Sequence, residues 1–240
     1  MKMVEMDKRE LAERLILSVI NNEDGKERLF NFPSVERGPF SLVAQVCLGE
    51  KNLEGKYTSC VTVTNDIMNG WGISKSEMFD MAVANSKKLF PILIEPLNEL
   101  ARRLDENGQQ YFLTDGVNLP TCLVLSNEYF FNGAAAMFYE PEALDKIAAK
   151  FKVSSLYILP SSTNHIFCVP KSSLMEAQEY TDVFTAFISA KPDGEKPLAD
   201  KVMHYDVATK QVTYDGVNFS PAITDHSNTA VEAANKTTHR

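Results

Sequence analysis

Residues 160–165, Pro-Ser-Ser-Thr-Asn-His, place hydroxyl, amide and imidazole groups on one short segment. A serine hydroxyl beside a histidine is the arrangement that acyl-transfer enzymes use as nucleophile and general base. Ser161 or Ser162 could supply the nucleophile and His165 the base. The sequence identifies no carboxylate that would orient the imidazole, and it contains no G-x-S-x-G motif.

The same segment also has the composition of a turn. Two short apolar runs flank it, at residues 156–159 and 166–169, and they predict the strands of a hairpin. Serine and asparagine stabilise such turns by hydrogen bonding to the backbone. Neighbouring positions on a tight hairpin rarely aim a hydroxyl at an imidazole, so the structural interpretation is preferred and catalysis is the alternative hypothesis.

Two other positions could contact a ligand or a partner. Trp71, the single tryptophan, stands between Gly70 and Gly72 ahead of a predicted helix, where its ring could anchor a partner or pack into the core. Asn132 precedes Gly133 in a segment that lacks the glycine spacing of phosphate-binding loops. The candidate binding or polar cluster therefore has six members: Trp71, Asn132, Ser161, Ser162, Asn164 and His165.

Charge and motif content narrow the classes of ligand. The four histidines show no metal-ligand spacing and no cofactor motif is present, so we predict neither a metal nor a cofactor. The formal net charge is −8, with 32 acidic and 24 basic residues, which disfavours binding to a nucleic-acid backbone. The basic pairs Lys87-Lys88 and Arg102-Arg103 lie on predicted helices that also carry acids. We therefore expect a protein partner, and the oligomeric state stays open.

The expected compartment is the cytoplasm. No apolar run approaches the roughly 18 residues that a membrane-spanning helix needs, and the first residues are charged, which does not fit a secretion signal. Four cysteines lie far apart in apolar or strand-like runs without a C-x-x-C pair, which predicts reduced, buried thiols. They are Cys47, Cys60, Cys122 and Cys168.

Hydrophobic periodicity and capping patterns predict about five helices. The clearest begins at Ser74, where Ser74 and Glu77 form a capping-box pattern, and ends before Pro91. The predicted helices cover about residues 7–21, 74–89, 97–106, 141–150 and 173–189. The predicted strands cover about residues 42–48, 57–64, 121–125, 134–138, 156–159, 166–169, 202–207 and 211–214.

Helices and strands without strict alternation indicate an α+β fold, with mixed, mostly antiparallel sheet layers packed against the helices. We predict a single domain over residues 1–215. Residues 216–240 are rich in Thr, Asn, Ser and Ala without periodicity, so we expect a disordered C-terminal tail there.

Several motifs resemble those of an uncharacterised domain family of anaerobic Gram-positive gut bacteria. They are VTND at 63–66, GWGIS at 70–74, ANS at 84–86, LFP at 89–91, NGAA at 132–135, LYILPSS at 156–162 and LAD at 198–200. The similarity covers about residues 10–215, and the chain resembles an N-terminally shortened member. The resemblance implies a cytoplasmic protein tied to accessory or mobile genes, and it names no reaction.

These observations favour a non-enzymatic binding or regulatory protein that acts through protein-protein contact. The binding face would contain Trp71 and the turn at residues 161–165. The alternative is a hydrolase-like enzyme that uses the Ser-His pair of the same turn.

Overall fold

The computed structural model describes residues 8–51, 57–106, 122–171, 178–182, 185 and 197–223. The chain divides into two compact units, unit 1 with residues 1–91 and 222–240, and unit 2 with residues 92–221. The described strand pairs are antiparallel, which confirms the predicted α+β class. That residues 1–215 act as one domain stays a prediction. Of the helices in the described ranges, none is long and apolar enough to cross a bilayer.

Unit 1 is built around one long central strand, β3 (Phe40–Lys51). This strand pairs with β1 (Leu15–Asn21), β2 (Ser34–Arg37) and β4 (Tyr57–Thr62). Val43 of β3 pairs with Ser18 on one side and with Ser34 on the other, so β1 and β2 flank it. Farther along, β4 takes the place of β2 on the same side of β3. The elements are α1 (Lys8–Arg14), β1 (Leu15–Asn21), α2 (Asn22–Leu29), β2 (Ser34–Arg37), β3 (Phe40–Lys51), β4 (Tyr57–Thr62), α3 (Asn65–Trp71) and α4 (Lys75–Leu89).

The prediction of one helix over residues 7–21 was wrong in its second half. The helix ends at Arg14, and Leu15–Asn21 forms β1, whose first five residues are buried. A strand next to β3 can bury both faces of such an apolar, partly β-branched run, whereas an amphipathic surface helix buries one stripe. Strands near residues 42–48 and 57–64 are confirmed, as is α4 with its complete Ser74–Glu77 capping box.

Helix α4 closes the free edge of β1 with side-chain hydrogen bonds. The backbone N–H of Leu17 donates to Ser86 Oγ at 2.8 Å, and Asn85 Nδ2 donates to the carbonyl oxygen of Leu15 at 2.9 Å. Asn85 and Ser86 are buried. Two backbone groups that an edge strand would leave for water or another strand are thereby satisfied.

Unit 2 contains seven strands and three α-helices among its described elements. They are β5 (Ile92–Pro96), α5 (Leu97–Glu106), β6 (Leu123–Asn127), α6 (Ala136–Tyr139), α7 (Glu142–Phe151), β7 (Ser155–Ser162), β8 (His165–Pro170), β9 (Met203–Asp206), β10 (Gln211–Tyr214) and β11 (Val217–Phe219). The seven strands form one sheet in the order β11-β10-β9-β7-β8-β6-β5. A 3₁₀ turn at Gly133–Ala135 leads into α6, and residues 178–182 are also helical.

The hairpins β7–β8 and β9–β10 and helix α7 agree with the sequence predictions. A strand over residues 134–138 was wrong, because this alanine-rich run is helical and fully buried. A short apolar run does not reveal its period, and alanine favours helix. The start of the predicted helix 173–189 lies outside the described residues. Val217–Phe219, inside the predicted tail, forms β11, and residues 224–240 lie outside the described residues.

The prediction that all four cysteines are reduced was wrong for one pair. Cys47 of β3 and Cys60 of β4 form a disulfide, while Cys122 and Cys168 are buried thiols as predicted. Cys47 and Cys60 lie directly opposite each other in the β3–β4 register. Positions 13 residues apart in sequence meet here only because of that pairing.

Candidate functional site

The β7–β8 hairpin brings the predicted serine and histidine together. Ser162 and His165 are paired across the turn, and Ser162 Oγ lies 3.1 Å from His165 Nδ1. The same hydroxyl oxygen accepts the backbone N–H of Asn164 at 3.2 Å. Ser162 therefore stabilises the two-residue turn by the side-chain-to-backbone bond that serine commonly makes in turns.

Aromatic rings and burial enclose this pair. Ser162 is 4% exposed and His165 is 2% exposed. The imidazole stacks on the ring of Phe130, with centroids 5.1 Å apart, and contacts Phe167 in a tilted arrangement at 4.9 Å. The Ser-His geometry fits a nucleophile and base, but an acyl substrate would have to displace Phe130 or Phe167 to reach the hydroxyl.

The segment before α6 packs against the same turn. The backbone N–H of Asn132 donates to Asn164 Oδ1 at 3.3 Å, and that of Ala134 donates to the Thr163 carbonyl at 3.0 Å. Asn132 adopts a left-handed backbone with φ of 50°. A Cβ atom on Gly133 would lie 2.2 Å from the carbonyl oxygen of Asn164, so only glycine fits there. The structure thus brings Asn132 and Asn164 together with Ser162 and His165 at the β7–β8 turn.

Two buried hydroxyls in unit 2 lack a hydrogen-bond partner among the described residues. Ser161 Oγ and Ser126 Oγ belong to side chains that are 1% and 0% exposed. Ser161 precedes the hydrogen-bonded Ser162 and lies where the β7–β8 register shifts. An unpaired buried hydroxyl costs about 1–3 kcal/mol.

Trp71 belongs to unit 1 and is 9% exposed at the end of α3. Gly72 follows it in a left-handed conformation with φ of 63° and donates its backbone N–H to the Asn69 carbonyl. This is the usual glycine C-cap of a helix. The burial of Trp71 favours packing over the partner anchor that its sequence context also allowed.

An exposed feature of unit 1 is the outer edge of β4, which no sequence motif indicated. Within the described ranges, β4 pairs with β3 alone, and Val61 on this strand is 42% exposed. The backbone N–H of Val63 donates to the Ala44 carbonyl on β3 at 2.9 Å. Along an antiparallel strand, residues whose N–H and C=O groups bond to a given neighbouring strand alternate with residues whose N–H and C=O groups point away from it. Because Val63 bonds to β3, the N–H and C=O groups of Thr62 and Cys60 point away from β3.

The disulfide lies at this edge. Cys47 and Cys60 have Cα atoms 4.1 Å apart, as expected for a pair that shares no backbone hydrogen bond. Cys47 is fully buried, whereas Cys60 is partly exposed. In unit 2, burial raises the pKa of the Cys122 thiol to about 12 and also raises that of Cys168. These two thiols are therefore unreactive near neutral pH.

The fold defines an α+β protein of antiparallel sheets. The chain belongs to a family of unknown function, DUF5688, whose model matches residues 2–207. This result confirms the resemblance to an uncharacterised family. No curated protein and no solved structure matches the chain. Within the described ranges, no group of three or more His, Cys, Asp or Glu side chains could hold a metal ion.

Proposed function

We propose that the chain is a non-enzymatic binding protein that takes up an extended segment of a protein partner along β4. The observation that carries the proposal is the outward direction of the backbone groups of Cys60 and Thr62 on a partly exposed edge strand. An edge strand with open N–H and C=O groups pairs readily with an extended peptide. Trp71, Ser161, Ser162 and His165 are buried, whereas Thr163 is exposed and Asn164 is partly exposed, so we propose β4 as the binding face in place of Trp71 and the turn at 161–165.

The two edges of the unit 1 sheet differ in a way that supports this choice. On the β1 edge, Asn85 and Ser86 of α4 bind backbone groups of Leu15 and Leu17. On the β4 edge, Ser59 and Val61 are exposed to solvent. Among the described residues, α4 satisfies two backbone groups on the β1 edge, whereas no strand other than β3 pairs with β4.

The uncharged sequence of β4 and the negative net charge of the chain together indicate which kind of peptide segment binds. Strand β4 has the sequence YTSCVT and carries no charged residue, so an uncharged, β-branched segment pairs with it without a desolvation penalty for ions. Two copies of this chain, each with a formal charge of −8, repel each other, which disfavours β4–β4 pairing. The partner segment is therefore expected to belong to another protein and to have basic flanks.

We place the protein in the cytoplasm. The buried thiols of Cys122 and Cys168 support this location, because reduced cysteines are typical of that compartment. The Cys47–Cys60 disulfide is compatible with it when the disulfide is transient, as cytosolic disulfides usually are.

Thr62→Pro tests the docking edge. Proline removes the outward N–H of residue 62 and leaves the β3–β4 hydrogen bonds of Val61 and Val63 in place. Peptides selected from a displayed library of short random sequences on the wild-type protein should bind the variant at least ~10-fold more weakly, a loss of about 1.4 kcal/mol. Titration calorimetry measures the affinities.

Thr62→Val is the matched control, because it changes the same side chain and keeps the N–H. It should bind the selected peptides as wild type does, and both variants should keep the wild-type thermal midpoint within a few degrees. The proposal is wrong if no selected peptide binds above a scrambled control, or if the proline variant binds equally well. A dimer in light scattering that Thr62→Pro converts to monomer would instead identify a second copy as the occupant.

The Ser162–His165 distance of 3.1 Å supports a second candidate, a serine hydrolase. A fluorophosphonate probe would then label wild type at Ser162 and leave Ser162→Ala unlabelled. We expect no labelling of either protein, because the hydroxyl is buried and its oxygen accepts the Asn164 N–H. Mass spectrometry of the probe-treated protein decides, and an adduct on Ser162 would favour the enzyme over the binding protein.

A further inference from the structure

The Cys47–Cys60 disulfide joins the proposed docking strand to the core of unit 1. Cys47 lies on β3, which is buried on both faces over residues 40–44. Cys60 lies on β4, and its backbone groups face the open edge. The covalent bond thus holds in place one of the residues that a docking peptide would pair with.

Beyond this bond, the pairing between β3 and β4 is irregular. The register runs evenly from Gln45–Thr62 to Leu48–Ser59 and then shifts before Lys51–Tyr57. A strand that pairs on one side only and has one irregular end is held less firmly than a strand paired on both sides. The disulfide adds a covalent restraint to the β3–β4 pairing.

We propose that the Cys47–Cys60 disulfide is a reversible redox switch that sets how firmly β4 is held and hence how tightly it binds a peptide. This inference rests on the proposed function. The oxidised form presents an ordered edge, and a bound segment then loses less freedom on pairing. Reduction lets β4 separate from β3 and weakens docking.

The chemistry is thiol–disulfide exchange with a dithiol reductant. A thiolate of the reductant attacks the partly exposed Cys60 Sγ, the S–S bond breaks, and Cys47 Sγ leaves with the electron pair and takes a proton. The second thiol of the reductant, as its thiolate, then attacks the reductant sulfur that is bonded to Cys60. Cys60 leaves as a thiolate and is also protonated. The reductant becomes a disulfide, and two electrons and two protons have passed to the protein.

Exposure makes this pair selective. Attack occurs at Cys60 because this residue is partly exposed, whereas Cys47 is fully buried. Cys122 and Cys168 are buried thiols with raised pKa values, so they neither reduce the disulfide nor react with an alkylating agent while unit 2 is folded. Their alkylation therefore reports unfolding.

The test treats the full chain with dithiothreitol, alkylates it with iodoacetamide and reads each cysteine by mass spectrometry. We expect Cys60 and Cys47 to be alkylated after reduction only, with Cys122 and Cys168 protected throughout. Hydrogen exchange of the Ser59, Val61 and Val63 amides, which face β3, should become at least ~10-fold faster on reduction. Selected peptides should bind the reduced protein about tenfold more weakly.

Cys47→Ala/Cys60→Ala should match the reduced protein in exchange and affinity, and dithiothreitol should not change it further. If the reduced protein keeps slow β4 exchange, or if Cys47 and Cys60 are alkylated before reduction, the switch is overturned. If reduction leaves peptide affinity unchanged while Thr62→Pro abolishes it, the switch fails and the docking function stands. If no peptide binds, the docking function is wrong. Faster hydrogen exchange of β4 on reduction would then show that the disulfide controls how firmly the strand is held and nothing more.

Discussion

Gly133→Ala should destabilise unit 2 by about 3 kcal/mol, the upper range for forcing an extra group into a packed site. The added Cβ would lie 2.2 Å from the Asn164 carbonyl oxygen and 2.9 Å from the Ser126 Cα atom. Both are backbone atoms, so no flexible side chain can move aside. The 3₁₀ turn would have to retreat from the β7–β8 turn and lose the Ala134–Thr163 hydrogen bond. Urea denaturation followed by hydrogen exchange of the β6 and β8 amides measures this loss.

Gly72→Ala is the matched control for this substitution. No atom lies within 4 Å of the Cβ position at Gly72, and only its left-handed backbone, with φ of 63°, resists a side chain. We expect a cost of about 1 kcal/mol there, confined to unit 1. If Gly133→Ala loses no more unfolding free energy than Gly72→Ala, the close approach of the 3₁₀ turn to the β7–β8 turn is wrong.

Removing the side chains that close the β1 edge should have the second large effect. In Asn85→Leu the Leu15 carbonyl loses its donor, and in Ser86→Ala the Leu17 N–H loses its acceptor. A buried backbone group left unpaired costs about 1–3 kcal/mol, so each variant should lose about 2 kcal/mol of unfolding free energy. Because Trp71 is the single tryptophan and lies in unit 1, its fluorescence during urea titration follows the unfolding of this unit.

Lys87→Ala is the control on the same helix, because Lys87 is exposed. It should change the unfolding free energy by no more than about 0.5 kcal/mol. The double variant Asn85→Leu/Ser86→Ala should also self-associate, because its β1 edge becomes open to pairing. If Asn85→Leu and Ser86→Ala each lose no more unfolding free energy than Lys87→Ala does, α4 does not protect the sheet edge.

The two edges of the unit 1 sheet differ in their protection. An unprotected edge invites aggregation, and among the described residues α4 caps two backbone groups of β1 while β4 pairs with β3 alone. In the function and the switch that we propose, docking and its regulation involve the same short strand.

Features with a local cause were predictable from the sequence. The start of α4 follows from Ser74 and Glu77, which satisfy the first backbone N–H groups without help from the rest of the chain. The turn between β7 and β8 follows in part from Ser162, whose hydroxyl oxygen accepts the backbone N–H of Asn164 two residues on. The hydrogen bond from Asn132 to the Asn164 side chain joins positions 32 residues apart, so that contact needed the fold.

Features that depend on a distant partner were decided by the tertiary structure. Leu15–Asn21 is a strand because β3 lies beside it, although its apolar spacing also fits a helix. Ser162 and His165 are enclosed because Phe130, 35 residues before His165 in the numbering, stacks on the imidazole. Neither outcome has a signature in the local sequence, since both depend on which segments pack together.

The sequence by itself determined the α+β class, the capped helix α4 and the polar turn at residues 161–165, because short-range hydrogen bonds and hydrophobic periodicity encode them. Only the tertiary structure decided that Cys47 meets Cys60 and that, among the described strands, β4 pairs with β3 alone. Both follow from strand register, and register is set by the pairing of whole strands, which no local residue pattern specifies.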